Sequence, residues 1–547
     1  MPGEIKLIRL SSLKKVFLDE KPEEDYAGGS MLINEKYSFQ IAFTITNIPR
    51  NACYAKLKID SPLKEYIRAR LVGNLPSVLP TYENYDDYYL RTKPGLFPDP
   101  LYEIKEDMVK MLKNKWQSIW FTIEGTDGLK PGKYPLVVTL SLPEQNLESS
   151  VSVEIEVINA CLPEQRLIYT NWFHCDCIAS MYNCEIFSDI HWDLIDKFIK
   201  SAANNGINMI LTPAFTPPLD TPIGGERATV QLVDVYKRGD SYTFGFDKFN
   251  RWVDICLNNG IRFFEHSHFF TQWGAKYAPK VMAYEDGVYK RIFGWDTPAA
   301  GREYVNFLNQ YIPELIDFLR KKGIDRKTYF HISDEPLAKD LDSYAAAMNV
   351  VKDKLEGYKI FDALSDYAFY EQGLVQIPIP TTSHIDDFIG KVDELWTYYT
   401  GHQSVKLSNR FFSIPSARNR VLGTQLYKYN VKGFLHWAFN FYYTTLSREV
   451  CNPFISTDAF GEFPSGTAYM VYPGPDGPIE SLRLLVFNEG LQDMRAMQLL
   501  ESYVGKEKVM SIIEDGIPEI TFTEYPHNDK YLLDMRERIN REIAKQA

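Results

Sequence analysis

The sequence predicts a multidomain β plus α/β protein, with an N-terminal β-sandwich over residues 1–162, a (β/α)8 TIM barrel over 163–505 and a short helical tail over 506–547. Three observations carry this. The chain is 547 residues long, too long for one ordinary domain but enough for a barrel of about 250 residues or more with smaller units beside it. Up to about residue 160 it reads as short alternating runs separated by turns, as in Tyr37-Ser38-Phe39-Gln40-Ile41-Ala42-Phe43. After Leu162-Pro163, apolar runs alternate with amphipathic stretches, the signature of βαβ units around a parallel sheet.

The elements follow in order. In the first region the runs at 116–123 and 151–157 repeat the alternation, and Gly28-Gly29, Asp127-Gly128 and Pro131-Gly132 supply turn chemistry. Such modules commonly accompany enzymes. A scaffold packed on the catalytic domain is the expected role, with carbohydrate binding as the alternative. Eight strand-like runs come next, at 166–173, 208–215, 262–269, 328–335, 359–366, 376–384, 394–401 and 433–440. Helical patterns lie at 191–204, 302–322 and 341–356, and another at 483–503 follows the eighth run. Eight strand-then-helix units are what a closed barrel requires. An open doubly wound sheet is the alternative, but no Gly-rich dinucleotide loop follows the first run. In the tail, an apolar run at 509–514 and a charged amphipathic stretch at 530–545 predict helices packed outside the barrel, with a dimer contact as the alternative.

A net charge of −12 and a pI near 5.4 exclude nucleic acid as a partner. The seven cysteines are scattered and odd in number, and are expected to be free thiols in a reducing compartment. Cys175-Asp176-Cys177, with His174 and Cys184, matches no zinc-binding spacing, so neither a metal nor a cofactor is expected. Residues 1–20 lack the apolar core of a signal peptide, and no apolar run is long enough to span a bilayer. The expectation is a cytoplasmic protein with no membrane partner.

Chemistry concentrates in Tyr329-Phe330-His331-Ile332-Ser333-Asp334-Glu335-Pro336, where an aromatic run ends in two adjacent carboxylates. Taken alone, these residues also fit a helix N-terminus capped by Ser333 or Asp334. Pro336 is expected to hold Glu335 extended, and like-charge repulsion to raise one pKa of the pair. In a barrel, active sites lie at the C-terminal ends of the strands. Those ends offer Asn171, Trp172 and His174, then Glu265, His266 and His268, then Asp366, His384, Trp396, Tyr398, Trp437 and Asn440. The intervening loops add Gln272, Trp273 and Trp295. Carboxylates, amides and indoles around one cavity suit a sugar, whose apolar face stacks on aromatic rings while polar groups take its hydroxyls. A glycosidase needs an acid to protonate the leaving oxygen and a second group to stabilise the anomeric centre. That second group is either a carboxylate from another strand, with Glu265 the candidate, or a substrate 2-acetamido group oriented by the neighbouring Asp334.

At these residues the chain resembles glycoside hydrolase family 123. The resemblance is carried by 329–336, by Phe264-Glu265-His266-Ser267-His268 through Lys276, and by Phe293-Gly294-Trp295-Asp296-Thr297. Gly433-Phe434-Leu435-His436-Trp437-Ala438-Phe439-Asn440 and the segment 471–478 extend it, so that it covers roughly 166–501. The family includes β-N-acetylgalactosaminidases and merges with a wider set of proteins sharing its catalytic domain. The resemblance implies a retaining, substrate-assisted mechanism on terminal β-linked N-acetylhexosamine, with Asp334 orienting the acetamide and Glu335 acting as general acid and base. By analogy a tyrosine should bond the acetamide carbonyl; Tyr398 is the choice because it shares a strand face with Trp396, and Tyr399 is the fallback. The partner implied is a small oligosaccharide or glycoconjugate. Two other readings stay open: a retaining glycosidase using Glu265 and Glu335 on a sugar without the acetamide, and a non-catalytic carbohydrate-binding barrel.

Overall fold

The computed structural model describes residues 3–23 and 25–547. The N-terminal region is two five-stranded sheets. One is ordered Glu4–Ser11, Lys36–Thr46, Gln117–Glu124, Ile67–Ser77, Gly95–Glu103, and the other Gly28–Leu32, Leu147–Ile158, Gly132–Leu142, Ala52–Asp60, Met108–Leu112. The alternation read from the sequence sets their faces. Along Leu147–Ile158, Val153, Ile155 and Val157 turn inward, while Glu154 and Glu156 meet solvent. Phe39, Ile41, Phe121, Leu136 and Val138 complete the fully buried layer between the sheets.

The barrel follows, with strands β1 (Ile168–Asn171), β2 (Met209–Thr212), β3 (Phe263–His266), β4 (Thr328–Phe330), β5 (Lys359–Ala363), β6 (Ile377–Ile379), β7 (Trp396–Tyr398) and β8 (Gly433–His436). Each lies inside one of the eight predicted runs. Their pairing is parallel throughout, in the order β6-β5-β4-β3-β2-β1-β8-β7. The ring closes between β6 and β7, where the Tyr398 N–H donates to the Pro380 carbonyl at 3.0 Å and the Thr382 N–H to the Tyr398 carbonyl at 2.8 Å. Alternate residues divide the strands into two faces. Met209, Leu211, Tyr329, Phe361, Trp396 and Leu435 fill the barrel interior, whereas Tyr169, Phe264, Phe330 and Phe434 join the layer beneath the helices. Gly433 is required on β8, because a Cβ there would lie 2.1 Å from the Trp396 indole.

The helices are α1 (Cys175–Tyr182), α2 (Asp189–Asn204), α3 (Asp247–Asn258), α4 (Arg302–Lys322), α5 (Leu341–Val351), α6 (Ala368–Glu371), α7 (Ser416–Arg420), α8 (Leu422–Lys428), α9 (Leu482–Val504), α10 (Lys506–Ile513) and α11 (Asp529–Ala544). Their ends obey local chemistry: Ser188, Ser481 and Asn528 accept backbone N–H bonds as N-caps, and Gly323 ends α4 at φ 69°. Two hairpins between β2 and α4, Asp234–Arg238 with Ser241–Gly245 and Val281–Glu285 with Val288–Phe293, form a separate four-stranded sheet that the sequence reading does not anticipate. Among the described residues no helix is long and apolar enough to cross a membrane.

Buried ion pairs lock the sandwich to the barrel. Asp99 of the sandwich takes a two-pronged bond from Arg483 of α9, at 2.7 and 2.9 Å, with both side chains sealed from solvent. In the tail, Arg536 of α11 bridges Glu35 of the sandwich at 2.6 Å and Asp493 of α9 at 2.9 Å. The tail thus touches the sandwich as well as α9.

Candidate active site

Beneath the barrel mouth lies a buried array of charge. His331, at the end of β4, bonds Asp362 of β5 through Nδ1 and Glu265 of β3 through Nε2, each at 3.0 Å. Burial alone would lower the imidazole pKa, but these two carboxylates raise it to about 9. Glu265 also accepts the Thr170 hydroxyl, and the Trp172 indole N–H at 2.9 Å. Asp362 accepts the Tyr344 hydroxyl at 2.6 Å and the backbone N–H groups of Ile332 and Ser333. One fully buried carboxylate thereby fixes the three residues that precede the acid pair.

Asp334 and Glu335 emerge directly above this array. The Trp273 N–H donates to the Asp334 carbonyl at 2.8 Å, and the Glu335 N–H to the Ala363 carbonyl at 3.0 Å. Glu335 is therefore not extended, as its place before proline predicts, but left-handed at φ 45°. Pro336 favours extended backbone at Glu335, so the left-handed conformation runs against that preference, with the Glu335 N–H bonded to β5. A non-glycine residue held there costs about 1–3 kcal/mol, a strain typical of functional sites. The Tyr398 hydroxyl donates to Glu335 Oε1 at 2.5 Å. The upward pKa shift falls on Asp334: burial is its main cause and the Glu335 charge the second, with the His331 cation opposing. Of the pair, Asp334 is thus the member whose carboxyl is raised.

The pair opens into a cavity of about 170 Å³. Of the predicted residues, Asp334, Glu335, Tyr398, Trp437, Gln272 and Trp273 line it. Gln272 is anchored by both ends of its amide, accepting the Asp220 N–H at 2.7 Å and donating to the Thr221 carbonyl at 2.8 Å. Trp273 stands at the rim, 42% exposed and left-handed at φ 60°. Trp172 and His174, just beyond the first strand, also reach the cavity. Arg227 donates to His174 Nδ1 at 3.1 Å, so the ring proton sits on Nε2 and donates to the Trp437 carbonyl at 2.9 Å. Burial, then the Arg227 charge, lowers this imidazole to about 3 and keeps it neutral. The sequence reading misses Asp220, on the loop after β2. Burial lifts its carboxyl to about 6, and no local motif marks it. Tyr82 of the sandwich is missed as well, because only tertiary structure brings it here.

Six predicted residues lie elsewhere. Glu265 is 0% exposed beneath the floor, with both oxygens already bonded. Trp396 does share the inner face with Tyr398, but two residues earlier, about 7 Å deeper along the barrel, where it packs on Tyr329 and Phe361 and donates to Glu394. Asn171 falls on the outer face with Tyr169, one residue out of phase with Trp172. Asn440 clamps the first strand's exit, accepting the His174 N–H at 2.9 Å and donating to its carbonyl at 3.0 Å. His268 is buried flat against His331 at 4.2 Å. Trp295 belongs to the four-stranded sheet's surroundings, beside Tyr277 and a separate small cleft. Tyr399 faces outward onto Phe434 and His436, which leaves Tyr398 as the tyrosine at the acids.

Two clusters test for a metal. His268, His331 and Asp362 bring ligand-type atoms within 4.8 Å of one another, but both His331 nitrogens are already committed to carboxylates. Asp176, in the cysteine-rich segment, is paired with Arg227 at 2.8 and 2.9 Å. All seven cysteines are free.

The catalytic-domain model of glycoside hydrolase 123 matches residues 172–500. No curated protein matches the chain. Among solved structures, a family 123 glycoside hydrolase from Clostridium perfringens, described as acting in glycolipid glycan hydrolysis, superposes with a TM-score of 0.74 at 15% identity, over 99% of this chain and 98% of that one. A β-galactosidase-like protein from Bacteroides fragilis gives 0.31 at 8% identity, over 87% and 60%. A family 5 glycoside hydrolase from Bacteroides vulgatus gives 0.34 at 10% identity, over 62% and 67%.

Proposed function

The chain belongs to glycoside hydrolase family 123 and is a glycosidase acting on carbohydrate, and we propose that it removes terminal β-linked N-acetylhexosamine, N-acetylgalactosamine first among them, by a retaining, substrate-assisted mechanism. The observation that carries this reading is the adjacency of the two acids, with the candidate second-strand carboxylate out of reach. Asp334 and Glu335 are adjacent and share the cavity, while Glu265, the carboxylate a two-acid mechanism would use, is sealed below it with both oxygens already bonded.

Glu335 protonates the glycosidic oxygen as the substrate's acetamide oxygen attacks the anomeric carbon from the opposite face. Asp334, which the developing positive charge favours in its ionised form, accepts the acetamide N–H, aligning the carbonyl and stabilising the oxazolinium. Glu335 then takes a proton from the water that opens the ring. The Tyr398 hydroxyl, which bonds Glu335, is placed to donate to the acetamide carbonyl when substrate binds. Trp437 and Trp273 offer faces to the pyranose, and Asp220 accepts one of its hydroxyls.

Hydrolysis of paired nitrophenyl β-glycosides, N-acetylgalactosaminide against galactoside and N-acetylglucosaminide against glucoside, tests the proposal. Cleavage confined to the acetamido sugars is expected. Equal cleavage of the 2-hydroxy partners would remove the acetamide from the mechanism.

A further inference from the structure

An aromatic pair at the cavity mouth is not used by the acid chemistry. Tyr82 lies in the sandwich segment joining Ile67–Ser77 to Gly95–Glu103, yet it lines the same cavity as Asp334 and Glu335. Its ring stacks on His402 of the loop after β7, with centroids 5.9 Å apart and planes at 24°. The segment is firmly held. Asp458 accepts the Val78 and Leu79 N–H groups at 2.7 and 2.8 Å, and Arg418 grips Asp86 at 2.8 and 2.9 Å. Neighbouring tyrosines do the packing: Tyr88 stacks on His527 at 4.1 Å, and Tyr89 donates to the Ser404 carbonyl at 2.7 Å. The Tyr82 hydroxyl, by contrast, meets the Glu462 carbonyl only at 3.5 Å.

The pair's position tells which part of a substrate it meets. Tyr82 and His402 adjoin the β7 loop, the side from which Tyr398 reaches Glu335. Trp273 adjoins Asp334, with Gln272 and Asp220 beside it. A general acid hands its proton to the leaving-group oxygen, so the departing sugar lies on the Glu335 side.

We propose that Tyr82 and His402 form a stacking platform for the sugar that leaves, so that the N-terminal sandwich completes the substrate site. This rests on the N-acetylhexosaminidase reading above, and the test separates the two. Calorimetric titration of the Glu335→Gln protein uses two probes: a β-N-acetylgalactosaminyl-galactose disaccharide, which reaches the platform, and N-acetylgalactosamine thiazoline, which fills only the terminal-sugar position. Adding Tyr82→Ala or His402→Ala is expected to weaken the disaccharide about tenfold, the scale of one lost ring-stacking contact, and to leave the thiazoline unchanged. Tyr82→Phe should bind the disaccharide as the parent does. If both probes weaken together, or neither changes, the platform is overturned while the reaction assignment stands. If the parent binds neither probe, the hexosaminidase reading falls and the platform with it. His402 is exposed, so its variant decides the matter even where loss of the Tyr82 ring disturbs folding.

Discussion

Asp334 and Glu335 differ in what surrounds them, and their substitutions should separate. In the proposed mechanism Glu335→Gln removes the proton donor. Hydrolysis of poor leaving groups should fall by about 100-fold or more, while activated aryl glycosides are partly spared; equal losses on both would count against Glu335 as the acid. Asp334→Asn should cripple acetamido substrates whatever their leaving group, measured with the same pair of substrates. Asp220, lifted to about 6 by burial, should place an inflection near pH 6 in the kcat/KM profile, with the carboxylate present above it; Asp220→Asn should erase that inflection. The sequence makes the acid pair legible because two adjacent carboxylates ending an aromatic run are a local signal. It leaves Asp220 unread because an isolated aspartate in a proline-rich loop carries none, and it misplaces Asn171 because side-chain direction flips with each residue of a strand.

At the scale of elements, the β4 exit is held by Asp362 and by the His331 cation between two carboxylates. The His331 pKa is raised in the folded protein to about 9, against an ordinary value of about 6.5 unfolded. Its contribution to stability is therefore fully present below about pH 6.5 and is lost as pH rises through 9. Thermal melts from pH 6.5 to 9.5 should show a falling Tm, and His331→Gln should flatten that dependence; a parallel fall in the variant would assign it to other groups. All eight barrel strands are legible because buried parallel strands read as short apolar runs. Height along the barrel is not legible: Trp396 and Tyr398 share a face, yet one packs the interior while the other meets the acids. Period-2 patterning gives the face of a residue, and only strand stagger gives its layer.

For the whole molecule, the sandwich and barrel behave as one body through buried charge. Asp99→Ala would leave Arg483 unpaired in the interior, and removing one partner of a buried pair costs about 3–5 kcal/mol. Denaturant unfolding should register that loss, and a change within a few tenths of a kcal/mol would show the pair to be idle. The domain order is legible in the change of rhythm near Leu162-Pro163. The arrival of Tyr82 at the barrel mouth is not, since nothing near residue 82 in sequence hints at a neighbour some 320 residues on. The central claim is that the substrate's own acetamide is the nucleophile. Its most direct test is kcat/KM for aryl β-glycosides bearing acetyl, fluoroacetyl, difluoroacetyl and trifluoroacetyl groups on the 2-amino position. Each fluorine withdraws electron density from the carbonyl oxygen, so a steep, continuous fall across the series is predicted, whereas a flat series would show that the acetamide takes no part in the attack.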